Sequence, residues 1–184
     1  MPRPPRSPLL VCAVALVAAS ATSGEAHAGV FYSKDAALKL AFPHADAIDR
    51  RHAFLTRDQS TALAKLCGRT LRSRLQWIYI GKKAGHTMGY ALISTHTVRT
   101  RPATFMTVLG PRGAVRAVHV LAFYEPREYL PPNAWLRQFK GSDTKSARAV
   151  AAVAGSTMSA LAANAAVRRA LAIYQVVLSG KKHR

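Results

Sequence analysis

From residue 31 onward the apolar positions keep a helical rhythm at first. In "SKDAALKLAFP", Ala37, Leu38, Ala41 and Phe42 fall on one face of a helix. Ser33 stands where an N-cap belongs, Asp35 lies in the first turn, and Pro43 ends the run. "TRDQSTALAKLCG" predicts a second helix. Thr56 and Gln59 have capping-box spacing, and Gly68 is placed to terminate it.

The rhythm then shortens. "LQWIYIG" and "TMGYALIST" read as strands around the turn "GKKAGH", and "ATFMTVLG" and "AVRAVHVLAF" as a second pair around "GPRG". In the last of these, Val115, Ala117 and, less regularly, His119 alternate with Arg116, Val118 and Val120, so both faces are at least partly covered. Such short connections predict antiparallel hairpins. Prolines interrupt "EPREYLPPNAWLRQFKG", whose Tyr129, Trp135 and Phe139 are expected to anchor it. After the polar connector "GSDTKSARAVAA", a long helix is predicted over about 157–178. Val167, Leu171, Tyr174 and Leu178 form its inward stripe, with Arg168 and Arg169 off it. The expected class is α+β: an antiparallel sheet of about four or more strands, packed with N-terminal helices and a long C-terminal helix.

The first 28 residues read differently. Arg3 and Arg6 precede the apolar run "LLVCAVALVAA", which is short for a bilayer span, and Ala26-His27-Ala28 offers small residues at a cleavage site. The expectation is a secretory signal peptide over 1–28, cut after Ala28, and a single domain over 29–184 that is periplasmic or otherwise exported. Cleavage removes Cys12 and leaves Cys67 with no partner for an internal disulfide. Cys67 is expected to act as a small buried apolar group. No Cys-x-x-Cys-His is present, which excludes a covalently attached c-type haem.

The net charge of +19 attracts phosphates, anionic surfaces and acidic proteins. The cations are dispersed and no nucleic-acid motif is recognisable, so no nucleic-acid partner is expected. His86, His96 and His119 match no zinc spacing, so no metal site is expected. There is no Gly-x-Ser-x-Gly, and no side chain is assigned a catalytic role.

The stretch with most chemical content is "VAGSTMSALAANAAVRRAL", residues 153–171. A helix start carries unpaired N–H groups and partial positive charge, both of which favour an anion. Gly155 lets a ligand approach the backbone, and Ser156, Thr157 and Ser159 can donate hydrogen bonds to phosphate. Lys145 and Arg148 lie nearby in sequence. The same residues also serve as ordinary helix caps, and spacing does not choose between the two roles.

Over most of residues 31–178 the chain resembles the FMN-binding domain family, found in flavin-carrying subunits of the Rnf and Nqr electron-transport complexes and in stand-alone periplasmic relatives. The resemblance rests on "LAFPHAD", on "GYA" at 89–91, on "VLAFYEPREYLPPNAWLRQFKG", and on a Ser-Gly-Ala-Thr-like motif before the last helix. It implies an FMN cofactor bonded through its phosphate to Thr157 by a flavin transferase. Gly155, Ser156, Met158 and Ser159 would complete the phosphate turn, and Glu125 and Pro126 would lie near the flavin ring. It further implies an electron carrier, not a self-contained enzyme, serving a redox partner protein that is membrane-associated or free. Trp135 and Phe139 are expected to lock their loop, and Gly89 and Tyr90 to serve sheet geometry. The chain departs from the family pattern at Ala151, where an acid is usual, at Ala154, where Ser or Thr is usual, and at Ser156, where alanine is usual. Covalent flavin, flavin held without a covalent bond, and a flavinless basic binding module therefore all stand open.

Overall fold

The computed structural model describes residues 29–71, 73–146 and 158–179. The expected leader over 1–28 and the Gly155, Ser156 and Thr157 turn lie outside the described residues. The class is α+β. Six strands make one antiparallel sheet in the order β1-β6-β5-β4-β3-β2. They are β1 (Gly29–Val30), β2 (Ala47–Phe54), β3 (Leu75–Lys83), β4 (His86–Thr97), β5 (Pro102–Leu109) and β6 (Val115–Phe123). The four strands read from the sequence form the centre, and their hairpin registers follow the short turns.

Strand β2 has no counterpart in the hydrophobic pattern. It pairs along its whole length with β3, from Ala47 opposite Lys82 to Phe54 opposite Leu75. Its outer edge faces solvent, and it carries Asp49, Arg50, Arg51 and His52 where a core strand would alternate. Charged side chains on an edge strand discourage pairing with another chain. The turn between β3 and β4 is also tighter than "GKKAGH" suggested. Only Ala84 and Gly85 lie outside the strands, both at positive φ, and Asp46 Oδ2 accepts the Ala84 N–H at 2.7 Å.

Helix α1 (Lys34–Ala41) covers one face of the sheet, where Ala37, Leu38 and Phe42 pack with Tyr79, Ala91, Met106, Val108 and Leu121. Gly81 makes room there. A Cβ at that position would overlap the Phe42 ring. The opposite face carries the larger core, under α2 (Arg57–Cys67), α3 (Asn133–Leu136) and α4 (Met158–Ile173). Ser33 caps α1, and Thr56 and Gln59 form the reciprocal capping box of α2. Gly68 ends α2 in the left-handed conformation, at φ 68°.

Val167 and Leu171 are fully buried, while Tyr174 and Leu178 are half-buried in a final π-helical turn, Tyr174–Leu178. Helix α4 is rich in alanine, and Ala160, Ala162, Ala163, Ala166, Ala170 and Ala172 are all buried, which lets it lie close to the sheet. Residues 158–178 are long and apolar enough to cross a membrane by length and composition alone, and half of that apolar stretch is buried in this packing. The far end of the helix is pinned. The Tyr174 hydroxyl donates to the Pro111 carbonyl at 3.1 Å, and its ring sits where any Cβ on Gly113, at φ 86°, would be.

Of the loop aromatics, Phe139 is buried and Trp135 meets it edge-on at 5.2 Å between centroids, which locks the loop. Tyr129 does not act as an anchor: it is 40% exposed, with the Arg99 guanidinium 5.0 Å from its ring centroid. Gly89 approaches the Leu109 carbonyl so closely that a Cβ would clash. Tyr90 is buried edge-on to Tyr174, so both serve sheet geometry.

Candidate functional site

Helix α4 is described from Met158; Gly155, Ser156 and Thr157 precede it in sequence and lie outside the described residues. Met158 is half-exposed and Ser159 is almost fully buried. The connector before them begins in an ordered turn. Asp143 Oδ1 accepts the N–H groups of Lys145 and Ser146, each at 2.9 Å. Arg148 lies outside the described residues.

Glu125 is 5% exposed and follows the end of β6. Its Oε1 accepts the backbone N–H groups of Thr100 at 2.7 Å, Arg101 at 2.9 Å and Arg99 at 3.2 Å, and the Thr100 hydroxyl at 3.4 Å. These N–H groups belong to the turn between β4 and β5. Their hydrogen bonds, led by those of Thr100 and Arg101, hold the carboxyl below its usual range against the opposing effect of burial. Glu125 is thus an ionised tie that shapes a turn. Pro126 starts the 3-10 turn Arg127–Tyr129. Neither residue lines either of the two cavities described next, and neither do Met158 and Ser159.

The larger cavity, about 740 Å³, is a groove between β6 and the 127–140 loop. Its walls include Phe31, Leu130 and Leu136, and four cations, Arg116, Arg127, Arg137 and Lys140, border it with no carboxylate among the lining residues. His119 also lines it, and burial lowers its pKa. The outer edge of β6 is only partly paired. β1 meets it at Ala122 and Phe123, and Gly141 and Ser142 at Val115.

The smaller cavity, about 300 Å³, lies between the end of α2, strand β4 and helix α4. Arg69, Thr70, Ser73, Ser94, His96 and Arg169 line it, again without a carboxylate. Arg169 Nη2 donates to Gln76 Oε1 at 2.7 Å, and the Gln76 amide nitrogen donates to the Ser73 carbonyl at 2.8 Å. Ser94 Oγ and His96 Nε2 are 3.0 Å apart. Burial, and then the charges of Arg69 and Arg169, bring the His96 pKa down to about 4, so the imidazole is neutral at physiological pH. The sequence did not bring this group together: Arg69, His96 and Arg169 come from three distant segments. The available signal was the Arg168-Arg169 pair in an otherwise small and apolar helix. Arg168 is used structurally, donating to the Leu66 carbonyl at 2.9 Å at the end of α2. Cys67 is half-buried beside these arginines, and burial raises its pKa.

Among the described residues no cluster of three or more His, Cys, Asp or Glu side chains is placed to hold a metal ion. Comparison of the chain with protein-family models, with curated proteins and with solved structures finds no match.

Proposed function

We propose that this chain is an exported FMN-binding electron-transfer protein, with flavin held by its phosphate at the Gly155-Ser156-Thr157 turn and Thr157 as the covalent attachment residue. What supports the reading is that Gly155, Ser156 and Thr157 directly precede, in sequence, a helix described from Met158, and a helix start there would offer N–H groups and partial positive charge to a phosphate. Support also comes from the resemblance along residues 31–178; the groove beside the 127–140 loop has room for a flavin but is lined by none of Glu125, Pro126, Met158 and Ser159. A cavity of a few hundred Å³ suits a ligand of flavin size. The groove of about 740 Å³ offers apolar walls for a ring system and cations for its charge.

FMN supplies redox chemistry that transfers electrons singly or in pairs. The protein's own part is to bind and to tune. Gly155 keeps the approach free of a side chain, and Ser156, Met158 and Ser159 complete the turn around the phosphate. Glu125, being ionised and tied to the 99–101 turn, sets the shape of the loop ahead of Pro126 and is not a proton donor. Arg116, Arg127, Arg137 and Lys140 stabilise negative charge in the groove and steer an acidic redox partner. A signal peptide over 1–28 would deliver the chain to the periplasm or beyond.

A second reading is a flavinless basic binding module acting at a membrane surface or on an acidic protein. Ala151 and Ala154 favour it. It expects colourless protein whose binding weakens steeply with salt.

The test is an absorption spectrum of the exported protein made together with a flavin transferase, followed by denaturation. Yellow protein whose flavin travels with the polypeptide, and loses it in Thr157→Ala, is the expected result. Flavin released on denaturation rejects the covalent bond alone. Colourless protein rejects the carrier.

A further inference from the structure

The 300 Å³ cavity near the end of α2 has a charge problem of its own. Two guanidinium groups, Arg69 and Arg169, border it with no carboxylate among the lining residues. Among the described residues the one ion pair is Lys82 with Asp49, at 2.7 Å, which involves neither arginine. A cation on an open surface is neutralised by water and salt at little cost, but Arg169 is half-buried. It is also aimed. Gln76 is only 3% exposed, and its amide is oriented by the Ser73 carbonyl so that its oxygen receives one Arg169 N–H. Gln76 is neutral, so it fixes the guanidinium without discharging it. A merely solvated cation needs no buried residue to orient it. Thr70, Ser73, Ser94 and His96 also line it, beside Ile93, Thr95 and Thr97, and all four carry hydrogen-bonding groups.

We propose that this cavity is a binding site for a compact oxyanion, phosphate or a phosphomonoester, clamped between Arg69 and Arg169. Arginine's planar fork matches such a group, and hydroxyls can donate to its remaining oxygens. Arg169 stands eleven positions after Met158 on α4, about 16 Å along a helix axis. The site is therefore distinct from the phosphate turn proposed for FMN and does not depend on it. A bound dianion beside His96 would favour the charged imidazolium and raise its pKa from about 4. That makes His96 a built-in reporter. The groups facing it are Arg69, Arg169, Ser94 and the Phe105 ring, none of them acidic.

The experiment follows the His96 imidazole resonances of the full mature chain by NMR during titration with inorganic phosphate, with phenyl phosphate, and with chloride at matched ionic strength. Saturable binding of either phosphate compound, with an upward shift of the His96 titration, is expected. Arg69→Gln, at an exposed position, should weaken that binding by about tenfold, the scale of one lost charge-assisted hydrogen bond. Arg112→Gln, at the tip of the β5–β6 hairpin, should leave it unchanged. Tighter phenyl phosphate assigns a phosphomonoester, and tighter inorganic phosphate assigns the free ion. Equal responses to chloride and phosphate, an unmoved His96, or equal weakening by Arg69→Gln and Arg112→Gln would each overturn the site.

Discussion

Glu125 and Arg169 are both charged and both withdrawn from water, and the protein treats them in opposite ways. Glu125 is saturated: three backbone N–H groups and a hydroxyl converge on one carboxylate oxygen. Arg169 is oriented but, among the described residues, has no carboxylate partner; a neutral amide holds it, and it lines a cavity together with Arg69. A saturated charge is a structural part, and its removal should be felt in folding. An oriented but uncompensated charge is ready for something that arrives from outside, and its removal should be felt in binding.

The sharpest way to break this contrast is Glu125→Ala. It strands the N–H groups of residues 99–101 together and should destabilise the fold more than any substitution at Arg69 or Arg169, read as a lower urea midpoint with unchanged slope. A midpoint equal to the parent's would make Glu125 a surface carboxylate after all. The next effect is in acid. Because the folded-state pKa of Glu125 is depressed below its ordinary 4.5, its contribution is complete above that value. It is lost as pH falls through the lower folded value. Glu125→Gln should therefore flatten the stability curve below about pH 4.5 and leave its neutral-pH slope unchanged.

Arg169→Met sharpens the other side. It keeps an apolar stem but leaves Gln76 Oε1 without its donor, at a cost of about 1 kcal/mol by thermal or urea unfolding. It also removes a neighbouring positive charge, so His96 should titrate higher than in the parent. The smallest effect belongs to Arg69→Gln. Position 69 is exposed, and the change should alter stability by less than about 0.5 kcal/mol. A large loss there would mean that Arg69 is a structural tie, and the contrast between the two regions would fail.

Local devices were legible in the sequence. The capping box of Thr56 and Gln59, the stop at Gly68 and the two central hairpins each depend on residues within a few positions of one another. What stayed hidden depends on distance along the chain. β2 is fixed by its pairing with β3 and by its place at an edge, where charge is an advantage and alternation is not required. Glu125 meets its acceptor-seeking partners 24 to 26 residues upstream, and nothing local announces that contact. Arg169 acquires its setting from Gln76, 93 residues away. Tyr129 misled because an aromatic side chain satisfied by a passing arginine looks, in sequence, like one that is buried.

The lodging of Tyr174 against Gly113 has a bearing on the opposite extremity of the molecule. With its hydroxyl on Pro111 and its ring in the space a side chain at 113 would fill, the tyrosine acts as a stop that forbids the last helix to slide or turn about its own axis. Met158 stands sixteen positions earlier, about 24 Å away along a continuous helix. The setting of that distant end is thus governed by a hairpin tip that never touches it, and enlarging Gly113 would displace it without altering a single residue nearby.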